Sequence, residues 1–241
     1  MPVTDFKIEY AAEELKTQNA VPVIIVAAGS SSRMGGINKM FMLLGGIPVI
    51  ARTMLAFERN ANVSEIIVVT KEENVADISY VAQNYMITKL SNVVPGGATR
   101  TESVEKGILS LKDAKGVMIH DGARPFVSDE IISKMADAAL KYDCAVCGIK
   151  VKDTIKQKGK ETVNTLDRNL LYAVQTPQSV NPELYKNILS RCEDKSKFTD
   201  DASVMESAGV NTVIIEGEES NIKITTPFDI KLAEMILREE E

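Results

Sequence analysis

"VIIVAAGSSSRMGGINKMF", residues 23–41, places a β-branched run directly before two alanines, a glycine and three serines, with Arg33 and Lys39 behind them. A continuous rather than alternating apolar run marks a strand buried on both faces, as in a parallel sheet covered by helices. Ligands of such sheets sit outside the carboxyl ends of the strands, which is where this loop falls. Small side chains there let backbone N–H groups approach oxygens, and a turn or helix start adds partial positive charge. Two full cations follow, so the loop has the physics of a phosphate site. It is neither of two familiar phosphate loops. There is no G-x-x-x-x-G-K-[ST], and Gly29 opens no G-x-G-x-x-G, because Ser31 and Met34 stand at the required positions.

The same rhythm continues along the chain. Strands are expected at 22–28, 64–70, 87–94, 116–120, 143–151 and 211–216. Helices are expected near 47–59, 72–84, 99–111, 128–141, 182–191, 200–208 and 226–239. Their alternation predicts an α/β fold, Rossmann-like, with a mostly parallel central sheet and helices on both faces. Thr99 followed by Glu102 reads as a capping box, and Thr226-Pro227 as an N-cap before a proline in the first helical position. Residues 152–169, "KDTIKQKGKETVNTLDRN", break the rhythm. They are polar around Lys158-Gly159-Lys160 and read as an extended, exposed β-hairpin arm. The expected organisation is an N-terminal extension over 1–20 and a single domain over 21–241 that carries this arm.

Composition narrows the function. The 241 residues carry 34 acidic against 28 basic side chains, a net charge of −6, which argues against a general nucleic-acid binder. A cleft rich in local cations can still hold a small phosphorylated ligand. No apolar stretch approaches the length of a membrane span. The acidic start "MPVTDFKIEYAAEELKTQN" lacks the layout of a signal peptide, so a cytoplasmic location is expected. Three cysteines fit a reducing compartment without a disulfide framework. Cys144 and Cys147 form C-x-x-C, but inside a predicted strand, where residues three apart point to opposite faces and cannot share a metal. A single histidine, His120, argues against zinc and against a Ser-His-Asp enzyme.

The stretches after the other strands extend the phosphate theme. "VPGGATRTESV" (94–104) sets two glycines and Arg100 at a helix start, a second place ready for an anion. "IHDGARPF" (119–126) ends a strand with Asp121, a carboxylate able to meet ribose hydroxyls or a metal ion, and with Arg124, which reads as structural or as a rim contact. "VKDTI" (151–155), "LDRNLLYAVQTPQ" (166–178), "TDDASVMESAG" (199–209) and "NIKITTPFDI" (221–230) follow.

Taken together, and in this order, these segments resemble the 2-C-methyl-D-erythritol 4-phosphate cytidylyltransferase family, from about Val21 to Leu237. The chain departs from the family at Asn38-Lys39-Met40, where proline-lysine-glutamine is usual, but it keeps the lysine. The resemblance implies transfer of a cytidylyl group from CTP to 2-C-methyl-D-erythritol 4-phosphate, with release of pyrophosphate, in the non-mevalonate isoprenoid pathway. Ribitol 5-phosphate is the rival acceptor, and a catalytically decayed nucleotide-binding regulator is the rival of another class. On this resemblance Arg33 and Lys39 stabilise charge on the α-phosphate, and the loop of Ala27, Ala28, Gly29, Ser30 and Ser31 cradles the triphosphate. Gly96, Arg100, Ser103 and Asp121 meet cytosine and ribose. Thr154, Arg168, Thr176, Thr199 and Lys223 hold the acceptor, with Arg168 and Lys223 serving catalysis as well. Thr199 fits equally as a helix N-cap. Mg²⁺ bound with CTP is the implied cofactor, without a protein ligand that can be named. An isolated hairpin buries too little to stand alone in water. Because the family places Thr154 and Arg168, at its two ends, beside the substrate, a homodimer with exchanged arms is expected.

Overall fold

The computed structural model describes residues 20–29 and 38–240. The expectations for residues 1–19, and for Ser30, Ser31 and Arg33, fall outside the described residues. Eleven strands follow one another among the described residues. They are β1 (Val21–Val26), β2 (Leu43–Leu44), β3 (Ile47–Pro48), β4 (Val63–Thr70), β5 (Leu90–Pro95), β6 (Val117–Asp121), β7 (Cys144–Lys150), β8 (Lys156–Lys158), β9 (Val163–Thr165), β10 (Tyr172–Val180) and β11 (Val213–Glu216). The α-helices among the described residues are α1 (Val49–Arg59), α2 (Val75–Asn84), α3 (Arg100–Leu109), α4 (Asp129–Lys141), α5 (Pro182–Ser190), α6 (Asp201–Glu206) and α7 (Pro227–Glu240).

Seven strands form the central sheet in the order β11-β7-β10-β6-β1-β4-β5. Only β10 runs against its neighbours, pairing antiparallel with both β6 and β7. The sheet is therefore mostly parallel, as its apolar runs imply. Its pleat sends alternate residues into two cores. Val23 and Ile25 of β1 pack with Met54 and Phe57 of α1 and Met135 of α4. Ile24 between them packs on the other face with Val104 and Ile108 of α3 and Tyr185 of α5. Cys144 and Cys147 divide in the same way, one into each core, so they cannot share a metal.

The sequence reading passed over β10, and the reason is visible in its composition. "YAVQTPQSV" contains Gln175, Thr176, Gln178 and Ser179, all buried, where a core strand normally carries aliphatic residues. Neighbouring elements satisfy Gln175, Thr176 and Gln178, while the Ser179 hydroxyl is buried without a partner among the described residues. Gln178 accepts from the backbone N–H groups of Asp201 and Ala202 at the start of α6 and donates to Asp200.

Local signals place the remaining elements. Thr99 caps α3 by accepting from the Glu102 N–H at 3.1 Å, while the Glu102 carboxylate reaches back to Ala98 rather than to Thr99. Half of the expected capping box is therefore displaced by one residue. Asp200, not Thr199, is the N-cap of α6. A third apolar cluster of Leu44, Val49, Phe126, Ile224 and Ala233 lies beneath α7 and fastens the 222–224 segment beside the end of β6. The arm is present as the β8–β9 hairpin, with every residue of both strands exposed. Among the described residues no helix is long and apolar enough to cross a membrane.

Candidate active site

The carboxyl edge of the parallel strands gathers the chemistry. The loop Ala27–Gly29 leaves β1, Gly96–Thr99 leaves β5, and Asp121 ends β6. Because β10 runs the other way, its early residues reach the same edge, and Thr176 lies beside Asp121. The Gly96 backbone presses so closely on the first loop that a Cβ there would stand 2.7 Å from that of Ala28. Glycine is required for that approach. Ser103 then steadies the turn: its hydroxyl donates to the Thr99 carbonyl at 2.9 Å and accepts from the Gly97 N–H at 3.1 Å. Ser103 reaches the cleft but uses its hydroxyl on the loop.

Asp121 is the electrostatic centre. Its carboxylate lies 2.7 Å from Lys223 Nζ, 3.4 Å from Arg100 Nε and 3.8 Å from Arg124 Nε. Burial alone would raise its pKa, but Arg100, Lys223 and Arg124 together hold it far below the usual carboxylate range. Arg100 is drawn the other way: against a burial that disfavours its charge, Asp201 and Asp121 hold the guanidinium firmly ionised. Its Nη2 lies 2.7 Å from Asp201, which also accepts from the Tyr185 hydroxyl at 3.2 Å. Arg100 is thus fixed between two carboxylates rather than standing open for an anion, as its helix-start position had suggested. Lys39 donates to the Ile224 carbonyl at 3.0 Å, which ties the first loop to the C-terminal segment. Arg124 donates to the Asn221 carbonyl at 2.7 Å and serves as a brace, as expected.

Two cavities meet at this cluster. The first, about 290 Å³, is lined by Ala27, Ala28, Gly29, Lys39, Gly97, Ser103 and others; the second, about 160 Å³, by Gln175, Thr176, Gln178, Thr199 and others. Arg100, Asp121 and Lys223 line both, so they form the common wall. Gly96 stands behind the first cavity as its packing residue. Thr199 is exposed at the rim of the second. Thr154 and Arg168 stay apart: both are exposed at the base of the arm, where Arg168 donates to the Lys152 carbonyl at 3.0 Å, and neither lines these two cavities. Asn38 and Met40, the departures beside Lys39, have structural work. The Asn38 side chain accepts from the Met40 N–H, and Met40 is buried under the cleft, with its sulfur close to Gly122.

Asp201, Gln178 and His120 were missed as members of the site. Their roles come from pairings across the fold, and the available signal was only their place within "TDDAS", "QTPQ" and "HDGARP". Among the described residues no group of three or more His, Cys, Asp or Glu side chains is placed to hold a metal ion. Among the described residues Asp121 is the one carboxylate lining the larger cavity. Such a donor set fits an ion that arrives on phosphate oxygens and keeps its waters, as Mg²⁺ commonly does, and not a cage built by protein.

A parallel sheet whose carboxyl edge offers a small-residue loop, a cation-lined cleft and a second polar cavity defines a nucleotidyltransferase of the α/β class. Comparison with known proteins narrows this. The family model described as IspD, 2-C-methyl-D-erythritol 4-phosphate cytidylyltransferase, matches residues 21–239. The cytidylyltransferase of that name from Halalkalibacterium halodurans is 40% identical over 222 residues, covering 91% of this chain and 97% of the relative. The one from Clostridium novyi is 41% identical over 219 residues, covering 89% and 95%. The crystal structure of 4-diphosphocytidyl-2C-methyl-D-erythritol synthase from Anaerococcus prevotii superposes with a TM-score of 0.81 at 30% identity, covering 93% of this chain and 99% of that one. The chain belongs to the 2-C-methyl-D-erythritol 4-phosphate cytidylyltransferase family.

Proposed function

We propose that this protein transfers the cytidylyl group of CTP to 2-C-methyl-D-erythritol 4-phosphate, releasing pyrophosphate and giving 4-diphosphocytidyl-2-C-methyl-D-erythritol for isoprenoid synthesis in the cytoplasm. The observation that carries this reading is the common wall. A reaction that joins a nucleotide to a second phosphorylated molecule needs two adjoining compartments with positive charge where they meet, and Arg100, Lys223 and Asp121 stand there.

The chemistry asks for no general base. The second pKa of a phosphate monoester is near about 6, so the attacking phosphate is largely dianionic at neutral pH. His120 agrees with this: it is fully buried, and burial pushes its pKa down to about 4. The obstacle is the approach of one anion to another, so the site works by holding both phosphates in line and neutralising charge as it builds. In this reading Lys39, with Arg33, meets charge on the α-phosphate, and the Ala27–Ser31 loop cradles the triphosphate. The turn at Gly96, Ser103, Arg100 and Asp121 seats the nucleoside, and Asp121 would be the carboxylate available to water around a divalent ion carried by CTP. Mg²⁺ bound with CTP supplies further neutralisation of the triphosphate. Lys223, Thr176 and Thr199 receive the acceptor.

Thr154 and Arg168 fit a shared site. The arm and the turn that ends it expose Val163 and Leu170 at 63% and 78%, and a lone hairpin is only marginally stable in water. A two-fold homodimer with exchanged arms covers that surface and brings both residues to the partner's acceptor cavity. Pyrophosphate release assayed with CTP, Mg²⁺ and each polyol phosphate tests the assignment. Release with methylerythritol phosphate is expected. Release with ribitol 5-phosphate alone, or CTP binding without turnover on either acceptor, would overturn it.

A further inference from the structure

The chain's only histidine lies behind the acceptor cavity, where the reaction has no use for its acid–base chemistry. Its ring is immobilised. It packs edge-on against Phe57, with centroids 4.9 Å apart and an interplanar angle of 64°, and it is fully buried. Nε2 lies 3.0 Å from the Arg124 carbonyl, and Nδ1 lies 3.1 Å from the Thr176 hydroxyl oxygen. A carbonyl only accepts, so Nε2 carries the hydrogen. In the neutral ring Nδ1 then has only a lone pair, and the Thr176 hydroxyl must donate to it. On its other side the same oxygen accepts from the Asp121 N–H at 3.0 Å. One lone pair of Thr176 Oγ1 is left, with no hydrogen to offer.

We propose that His120 is a positioning residue that fixes the direction of the Thr176 hydroxyl, so that the acceptor cavity presents a hydrogen-bond acceptor, and no donor, at Thr176. A hydroxyl of the polyol satisfies that lone pair. A phosphate oxygen, which also only accepts, is turned away from it and left to Lys223 and the arm's Arg168. The chain from the Arg124 carbonyl through His120 to Thr176 therefore sets which end of the acceptor enters first. This assignment rests on the polyol phosphate reading and deepens it, because it gives the two ends of one substrate separate partners.

The first test needs no turnover. Protein labelled with ¹⁵N-histidine yields one imidazole, and at pH 7 its spectrum should show the neutral form protonated at Nε2. A proton on Nδ1, or a charged ring, would reverse the Thr176 hydroxyl and overturn the proposal. The second test is steady-state kinetics on four variants. Removing one neutral hydrogen bond to substrate costs on the order of tenfold in binding. Thr176→Val and His120→Phe should each raise KM for methylerythritol phosphate by about that factor and leave KM for CTP within about twofold. Thr176→Ser and His120→Asn keep the hydroxyl and an acceptor for its hydrogen, and should restore most of the loss. Equal rises for both substrates, or no rescue by either conservative variant, would mean that His120 only fills space. If the wild-type protein shows no transfer to methylerythritol phosphate, the functional reading fails, while the labelled spectrum still decides the orientation of the hydroxyl.

Discussion

Replacing Asp121 with asparagine removes one negative charge with almost no change of shape, so its effect reports the charge cluster alone. The perturbed carboxylate faces Lys223, Arg100 and Arg124, and its side chain is only 10% exposed. Removing one partner of a buried ion pair commonly costs roughly 3–5 kcal/mol, because it strands the other charge away from water. Here the stranding is incomplete. Lys223 is 39% exposed and can turn to solvent, and Arg100 keeps Asp201 at 2.7 Å. Arg124, 11% exposed, is the cation left least compensated. Asp121→Asn should therefore cost about 3 kcal/mol, at the lower end of the range. For a chain of this size that lowers Tm by about 6–12 °C. In urea the midpoint should fall while the slope stays unchanged. The pH dependence supplies the signature. A carboxylate whose folded pKa is depressed stabilises fully above its unfolded value of about 3.9 and loses that contribution as pH falls toward the folded value. The gap between wild type and variant should hold steady from pH 7 to pH 5 and narrow below pH 4. A variant within about 1 kcal/mol of wild type at pH 7 would show that solvent already balances these cations, and the argument from the cluster would fail.

Lys39→Ala should lower kcat by on the order of 10²–10³, as for loss of one preorganised donor, with calorimetric CTP affinity changed much less. Weaker CTP binding at near-normal kcat would make Lys39 a ground-state contact instead. Mixing Arg168→Ala protein with Lys39→Ala protein should recover part of the activity, since one of the two hybrid sites then holds both native residues. A mixture as inactive as its parents after verified subunit exchange would mean that each arm serves its own chain. Acid should weaken the fold through His120, whose pKa drops from 6.5 to about 4 on burial. The unfolded chain binds the proton more readily, so stability falls as pH drops from about 6.5 toward 4, by about 1–2 kcal/mol between pH 6.5 and 5. His120→Asn should flatten that slope in urea titrations, and an unchanged slope would assign it to other groups.

The parts of this fold that could be read in advance are those whose cause is local. β1 and β4 announce themselves by β-branched runs, and β6 and β7 by short apolar ones, because both faces of each meet a core. The Thr99 and Pro227 helix starts are equally visible, since a cap is made of neighbours in sequence. β10 defeats the same reasoning. Its buried glutamines and threonine look like loop residues until α6, the 218–221 segment and the end of β6 arrive to bond them, as α6 does for Gln178, the Glu218 carbonyl for Gln175 and the Asp121 N–H for Thr176. The site divides along the same line. Loop glycines and cations can be found from their position after strands, but the pairing of Arg100 with Asp201, 101 residues away, cannot. The reversal of β10 is what joins the two kinds of information. A parallel strand in that place would deliver only its final residue to the carboxyl edge and would carry its polar side chains elsewhere. Running backwards, β10 comes to that edge at Thr176, its middle residue, and from Gln178 onward it is bonded to β6 on one side and β7 on the other. Thr176 is thereby held on a sheet strand between Asp121 and His120, whereas Lys39 and Lys223, the groups proposed to face phosphate, sit on loops. Seating a neutral hydroxyl depends on the angle of a single hydrogen bond and gains from that bonded frame, while attraction between phosphate and cation tolerates the loops.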